Sequence, residues 1–166
     1  MTALIALAVA LLLMLAELRV SKHNEQVLRN RGATEPPDPV YPTMRWAYPG
    51  MFVGMALEGA LTRSPDVPML VSGLVVFVVA KALKVWAIRS LGERWTYRVF
   101  VLPGSRLVTD GPYRWVRHPN YIAVVGELVG FALITNARYT GGAALLIFAE
   151  LLRRRIRAEE RALGLS

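Results

Sequence analysis

The chain has 166 residues, 54% of them hydrophobic, no cysteine and a formal net charge of +8. That is the length of one domain, and too apolar for an ordinary soluble fold of this size. The absence of cysteine excludes disulfides, thiolate metal sites and a cysteine nucleophile, and His23 and His118 lie too far apart in sequence to suggest a histidine metal site.

Five apolar segments follow one another, at residues 3–16, 46–61, 67–88, 121–134 and 139–152. Each predicts a helix. Several are shorter than the ~20 residues that cross hydrocarbon perpendicularly, so they must borrow flanking residues. The first lacks a positive region ahead of it and has its basic residues behind it, which predicts an uncleaved anchor. Residues 32–42 hold Pro36, Pro37, Pro39 and Pro42 and read as an extended connector.

Between the third and fourth segments lies the longest polar stretch, residues 90–120, with Trp95, Tyr97, Phe100, Tyr113 and Trp115. Gly92, Gly104 and Gly111 allow tight turns there. Pro119 suits the first turn of the fourth helix, where its missing N–H costs nothing, and puts His118 at the helix entrance beside free backbone donors. Aromatic and basic residues also gather at bilayer boundaries without binding anything.

Glu127 falls about two turns inside the fourth helix, on the face of Asn120; an ionisable group in hydrocarbon is a functional candidate unless a neighbouring Lys or Arg pairs with it. Glu58 is a weaker candidate near the outer end, and Glu17 and Glu150 read as interfacial. Thr135, Asn136, Ala137 and Arg138 suit a tight helical hairpin. Beyond it the basic tail continues helically, with Arg155 and Glu159 sharing a face. Such an arginine cluster ordinarily anchors to anionic headgroups, which the adjacent Glu159 and Glu160 oppose.

The charges set a topology. With the amino terminus outside, eighteen of the twenty Lys and Arg fall on the cytosolic side, Lys81 and Lys84 counted with the second cytosolic loop. Only Arg63 and Arg138 oppose them, as the positive-inside rule requires of five spans. This one-sided charge argues for a membrane surface rather than nucleic acid.

Three motifs carry a resemblance: Leu107-Val108-x-x-Gly111-Pro112-Tyr113, then Arg117-His118-Pro119-x-Tyr121, then Arg155-x-x-x-Glu159-Glu160 after the hairpin. Over residues 90–163 the chain resembles the isoprenylcysteine carboxyl methyltransferase family and, more loosely, the phospholipid methyltransferases. The resemblance implies one all-α membrane domain, residues 1–166. Residues 1–89 would supply three spans, and residues 90–166 a cytosolic cofactor loop, two spans and a catalytic tail.

It also implies S-adenosylmethionine as methyl donor, at the cytosolic face of a bacterial plasma membrane. His118 and Tyr121 would contact the cofactor, Gly111 and Tyr113 would shape its pocket, and Arg98, Val99 and Leu107 would line it. Glu127 would lie near its amino-acid end or orient residues that do. Arg155, Glu159 and Glu160 match the family's group at the reacting end. His23-Asn24-Glu25, Gly32-Ala33-x-Glu35, Tyr41 and Met44 look like a short bacterial branch that methylates alkylpyrone or alkylresorcinol-type lipids. The shorter chain, ending at Gly164-Leu165-Ser166, departs from the eukaryotic enzymes and argues against a prenylated cysteine.

The expected acceptor is therefore a lipophilic small molecule carrying a carboxylate, enol or phenol; its identity, O- against N-methylation and the oligomeric state stay open. Two rivals make different demands. A sterol-reductase-like enzyme would bind NADPH; the other rival is a small transporter or a structural, non-enzymatic membrane protein, and a transporter would carry midplane charges on paired half-helices.

Overall fold

The computed structural model describes every residue except Arg63, Ser64, Leu163, Leu165 and Ser166. Arg63, expected in an outer loop, and the last residue of the resemblance therefore lie outside the described residues.

Five long helices make up the chain: α1 (Thr2–Asn30), α2 (Tyr41–Leu61), α3 (Val67–Leu91), α4 (Pro119–Thr135) and α5 (Arg138–Ala162). All five apolar segments are helical, and each helix outruns its segment because flanking, mostly polar residues extend it. Lys22 and Arg29 belong to α1, Arg45 to α2, and Lys81 and Lys84 to α3 rather than to a loop. Among the described residues there is no strand. An isolated antiparallel bridge joins Thr34 of the connector to Val101 of the α3–α4 loop, with two backbone bonds of 2.9 Å.

Local signals set the boundaries. Asp66 caps α3 by accepting from the Met69 amide at 2.9 Å. Pro119 occupies the first turn of α4 behind His118, as expected. Asn136, with φ of 52°, ends α4 in the left-handed conformation, so α4 and α5 are joined by Asn136 and Ala137 alone.

α3 and α4 approach closely because glycine lies between them. A Cβ on Gly130 would stand 2.6 Å from the Phe77 backbone nitrogen, and one on Gly73 would stand 2.8 Å from that of Ile134. Such contact is how apolar helices associate when hydrophobicity cannot drive them together. The buried core includes Phe52, Met55, Leu128, Phe131 and Phe148 from α2, α4 and α5, joined by Ala10 of α1 and Phe77 of α3. Outside, α1 exposes Leu4, Ile5 and Leu12, and α3 exposes Val75, Val78 and Val79. α1 and α3 are long and apolar enough to cross a membrane; α4, with 17 residues, is shorter.

Successive helices run in opposite directions. At one end Glu58 of α2 accepts from the Tyr139 and Thr140 amides at 3.1 and 2.7 Å, capping α5. At the other end the close of α1 meets the α3–α4 loop: Asn24 donates to the carbonyls of Gly92 and Trp95, and Ser21 accepts from the Tyr97 amide.

Between the two ends is a buried ionic cluster. Lys81 and Lys84 of α3 each reach Glu17 of α1 at 2.7 Å, and reach Glu127 of α4 at 3.0 and 3.3 Å. Tyr48 donates to Glu127 at 2.6 Å and Tyr97 to Glu17 at 3.1 Å. Two cations meet two anions, so the cluster is neutral, and breaking one partnership would strand a buried charge. Glu17 is thus an interior residue rather than the interfacial one its position near a segment end suggested.

Candidate functional site

The end of the bundle that holds the α3–α4 loop brings together the start of α4 and the tail of α5. His118 precedes Pro119, so its ring leaves the helix axis at the entrance, and Nε2 stands 3.3 Å from Glu160 Oε1. One turn on, Tyr121 donates to Glu159 at 2.6 Å. The His118 and Tyr121 rings stack, with centroids 5.3 Å apart and planes 18° from parallel. Tyr113 comes from a 3-10 turn, Gly111–Arg114. Burial, and then the Glu159 carboxylate, push its phenol above the ordinary range, so at neutral pH it is an un-ionised hydroxyl. His118, Tyr121, Tyr113, Glu159 and Glu160 are therefore one cluster.

Arg155 lies one turn before Glu159 and is only 5% exposed. Its Nη2 donates to the Tyr97 carbonyl at 2.6 Å, and it forms an ion pair with Asp38 of the connector. Burial lowers its pKa and Glu159 opposes the shift; a guanidinium keeps its charge in either case. Asp38 in turn accepts from the Val40 and Tyr41 amides at 3.1 Å each, holding the start of α2. Tyr41 lies between two guanidiniums, with Arg98 5.1 Å and Arg155 5.7 Å from its ring centroid.

The other residues singled out by sequence lie elsewhere. Arg98 bonds Glu35 of the connector at 2.5 Å, and that bond raises its pKa above the usual guanidinium value. Val99 is buried beside it in sequence, and Leu107 is 52% exposed on the loop. Gly111 has a φ of 58°, and a Cβ there would meet Ser90 Oγ at 2.0 Å, so glycine is needed to seat the 3-10 turn on α3. Glu127 is fully buried in the ionic cluster, with the lysine partners that were the ordinary alternative to a ligand role. A cleft of about 410 Å³ is lined by the connector and the start of α2 together with Arg98, rather than by His118 and Tyr121.

Sequence reasoning passed over Asp38, Tyr97 and the two lysines. Asp38 was legible as a carboxylate fixed between Pro37 and Pro39 just ahead of a helix, which is a capping position. Lys81 and Lys84 were legible as charges inside an apolar helix that must find partners. Tyr97 acts mainly through its backbone carbonyl, which no side-chain motif reports.

Apolar outer helix faces, and one end rich in rings, carboxylates and guanidiniums, fit a helical membrane protein with a polar cluster gathered at one end. Residues 73–164 match the model of the isoprenylcysteine carboxyl methyltransferase (ICMT) family. The chain is 33% identical over 148 residues to the uncharacterized protein YpbQ of Bacillus subtilis (strain 168), covering 89% of this chain and 88% of that one. It is 34% identical over 93 residues to an uncharacterized protein of Haemophilus influenzae, covering 55% of this chain and 54% of the relative. No solved structure matches it. The chain belongs to the isoprenylcysteine carboxyl methyltransferase family, and so to the membrane methyltransferases.

Proposed function

We propose that this protein transfers a methyl group from S-adenosylmethionine to an oxygen on a lipophilic acceptor, at the cytosolic face of a bacterial inner membrane. The observation that carries the reading is the joining of His118 to Glu160 and Tyr121 to Glu159, which closes the α4 entrance against the tail beside Arg155.

The donor set suits the cofactor. Adenosylmethionine, when bound, supplies a methyl already activated by a sulfonium. The stacked faces of His118 and Tyr121 and the carboxylates of Glu159 and Glu160 match a cation and its ribose hydroxyls. Tyr113 offers a neutral hydroxyl to the same cluster. Alignment of acceptor and methyl is then the main demand on the protein, worth ~7–11 kcal/mol when the geometry is good.

Arg155 would hold an acceptor that is already an oxyanion, and in that case no strong base is needed. A phenolic acceptor would instead require Glu159 or Glu160 to take its proton. Gly111 and Leu107 then act by shaping the loop, and Glu127 by orienting its neighbours through the buried cluster. The alternating helix directions and the one-sided basic charge support a reading of five spans in a single domain over residues 1–166.

Transfer of labelled methyl from adenosylmethionine to lipid extracts tests the reading, comparing wild type with His118→Ala and Glu160→Gln. Loss in both variants is expected; undiminished transfer in both removes the cluster from the site. Calorimetry with NADPH in place of adenosylmethionine separates the reductase alternative.

A further inference from the structure

The cleft between the connector and α2 takes no part in the cluster just described, yet it abuts it. Asp38, Arg98, Tyr41, Arg45 and Trp46 are among the residues that line it. Arg155 stands directly behind, paired with Asp38 and against the Tyr41 ring. One guanidinium therefore separates the cleft from Glu159, which lies one turn further along α5.

The charges in the cleft are not equally satisfied. Glu35 is shared by Arg29 and Arg98, and Asp38 is taken by Arg155. Arg45 has no carboxylate partner among the described residues; it lies 5.2 Å from the Trp46 ring. Trp46 is 72% exposed, and a tryptophan and arginine together at a helix start suit the headgroup level. Trp46, Gly50, Val53 and Leu57 fall on one face of α2, which is exposed along its length. A Cβ on Gly50 would meet nothing within 4 Å, so this strip is open to an alkyl chain.

We propose that this cleft is the entry subsite for the methyl acceptor. It would take the anionic head of a single-chain amphiphile, with Arg45 on the oxyanion and the chain laid along the Trp46–Leu57 strip. The inference rests on the methyltransferase reading for the word acceptor, and on the cleft alone for the ligand class. Arg45 selects a negative head over a neutral one, and Tyr41, which lines the cleft and lies against Arg155, links the two.

The test uses the full chain in phosphatidylcholine nanodiscs, with a long-chain alkyl carboxylate bearing a diazirine next to its head. Cross-linked peptides are mapped, and adenosylmethionine affinity is measured separately on each sample. Labelling should concentrate in residues 35–46, the matching alkyl alcohol should label weakly, and Arg45→Gln should cut labelling roughly tenfold, as loss of a charge-assisted bond implies. Trp46→Ala should also reduce labelling, and both variants should bind adenosylmethionine as wild type does.

Equal labelling by the alcohol, or labels spread over α1 and α3, would overturn the subsite. Displacement of the probe by phosphatidylglycerol nanodiscs would also overturn it, since the cleft would then hold a structural phospholipid. Intact labelling without adenosylmethionine binding in wild type would keep the amphiphile site and remove the methyltransferase reading.

Discussion

The backbone carbonyl of Tyr97 accepts a 2.6 Å hydrogen bond from Arg155, while the phenol of the same residue donates to Glu17. The loop after α3 thus fixes the guanidinium of the α5 tail and is itself fixed to the buried ionic cluster.

Arg155→Lys is expected to lower methyl transfer by roughly 10²-fold, the scale of a misplacement near 1 Å, without preventing folding. An ammonium is a point charge and cannot hold Tyr97 and Asp38 while offering a further donor to the proposed acceptor, as a planar guanidinium can. Labelled-methyl assays with adenosylmethionine affinity measured in parallel decide it. Retention of half the wild-type rate would place Arg155 outside the reaction.

Lys84→Met leaves Glu17 and Glu127 sharing one cation and should cost about 3–5 kcal/mol, the range for breaking a buried pair. Adding Glu127→Gln restores neutrality, so the double variant should recover part of the loss. Thermal unfolding in one detergent compares them. A double variant less stable than Lys84→Met would contradict the charge balance described here.

Gly111→Ala meets two obstacles, a left-handed backbone that costs roughly 1–2 kcal/mol and the Ser90 side chain. Ser90→Gly in the same chain removes the clash but not the backbone cost, so partial rescue is expected. Limited proteolysis of residues 95–118 reads both. Full rescue would mean that the φ of Gly111 is unimportant.

Tyr113 gives a pH prediction. Its folded pKa is raised, so between the ordinary tyrosine value near ~10 and the folded value the native state keeps a proton that the unfolded chain releases. Its contribution is present in full below that window and is lost as pH rises through it. Tyr113→Phe should therefore gain on wild type as pH rises from about 9 to 11. A constant difference in unfolding midpoint across that range would show that Tyr113 is not shielded.

Much of this was legible in the sequence. Apolar runs gave all five helices, Pro119 gave the start of α4, and the spacing of Arg155 and Glu159 gave a tail that continues as helix. Helix lengths were underestimated because hydropathy marks the lipid-like part of a helix and passes over its polar turns. The roles of Glu17, Lys81 and Lys84 were hidden for another reason: they depend on which helix faces which, and no local pattern encodes that. The same holds for the partner of Asp38, since Arg155 is far along the chain, on α5.

The neutral quartet also bears on how the chain is made. Glu17 leaves the ribosome 64 residues ahead of Lys81 and further still ahead of Glu127. A nascent fragment ending at Leu61 holds an acidic group with no lysine from α3 to meet it. The buried carboxylate of α1 gains its lysine partners only once the third helix has arrived.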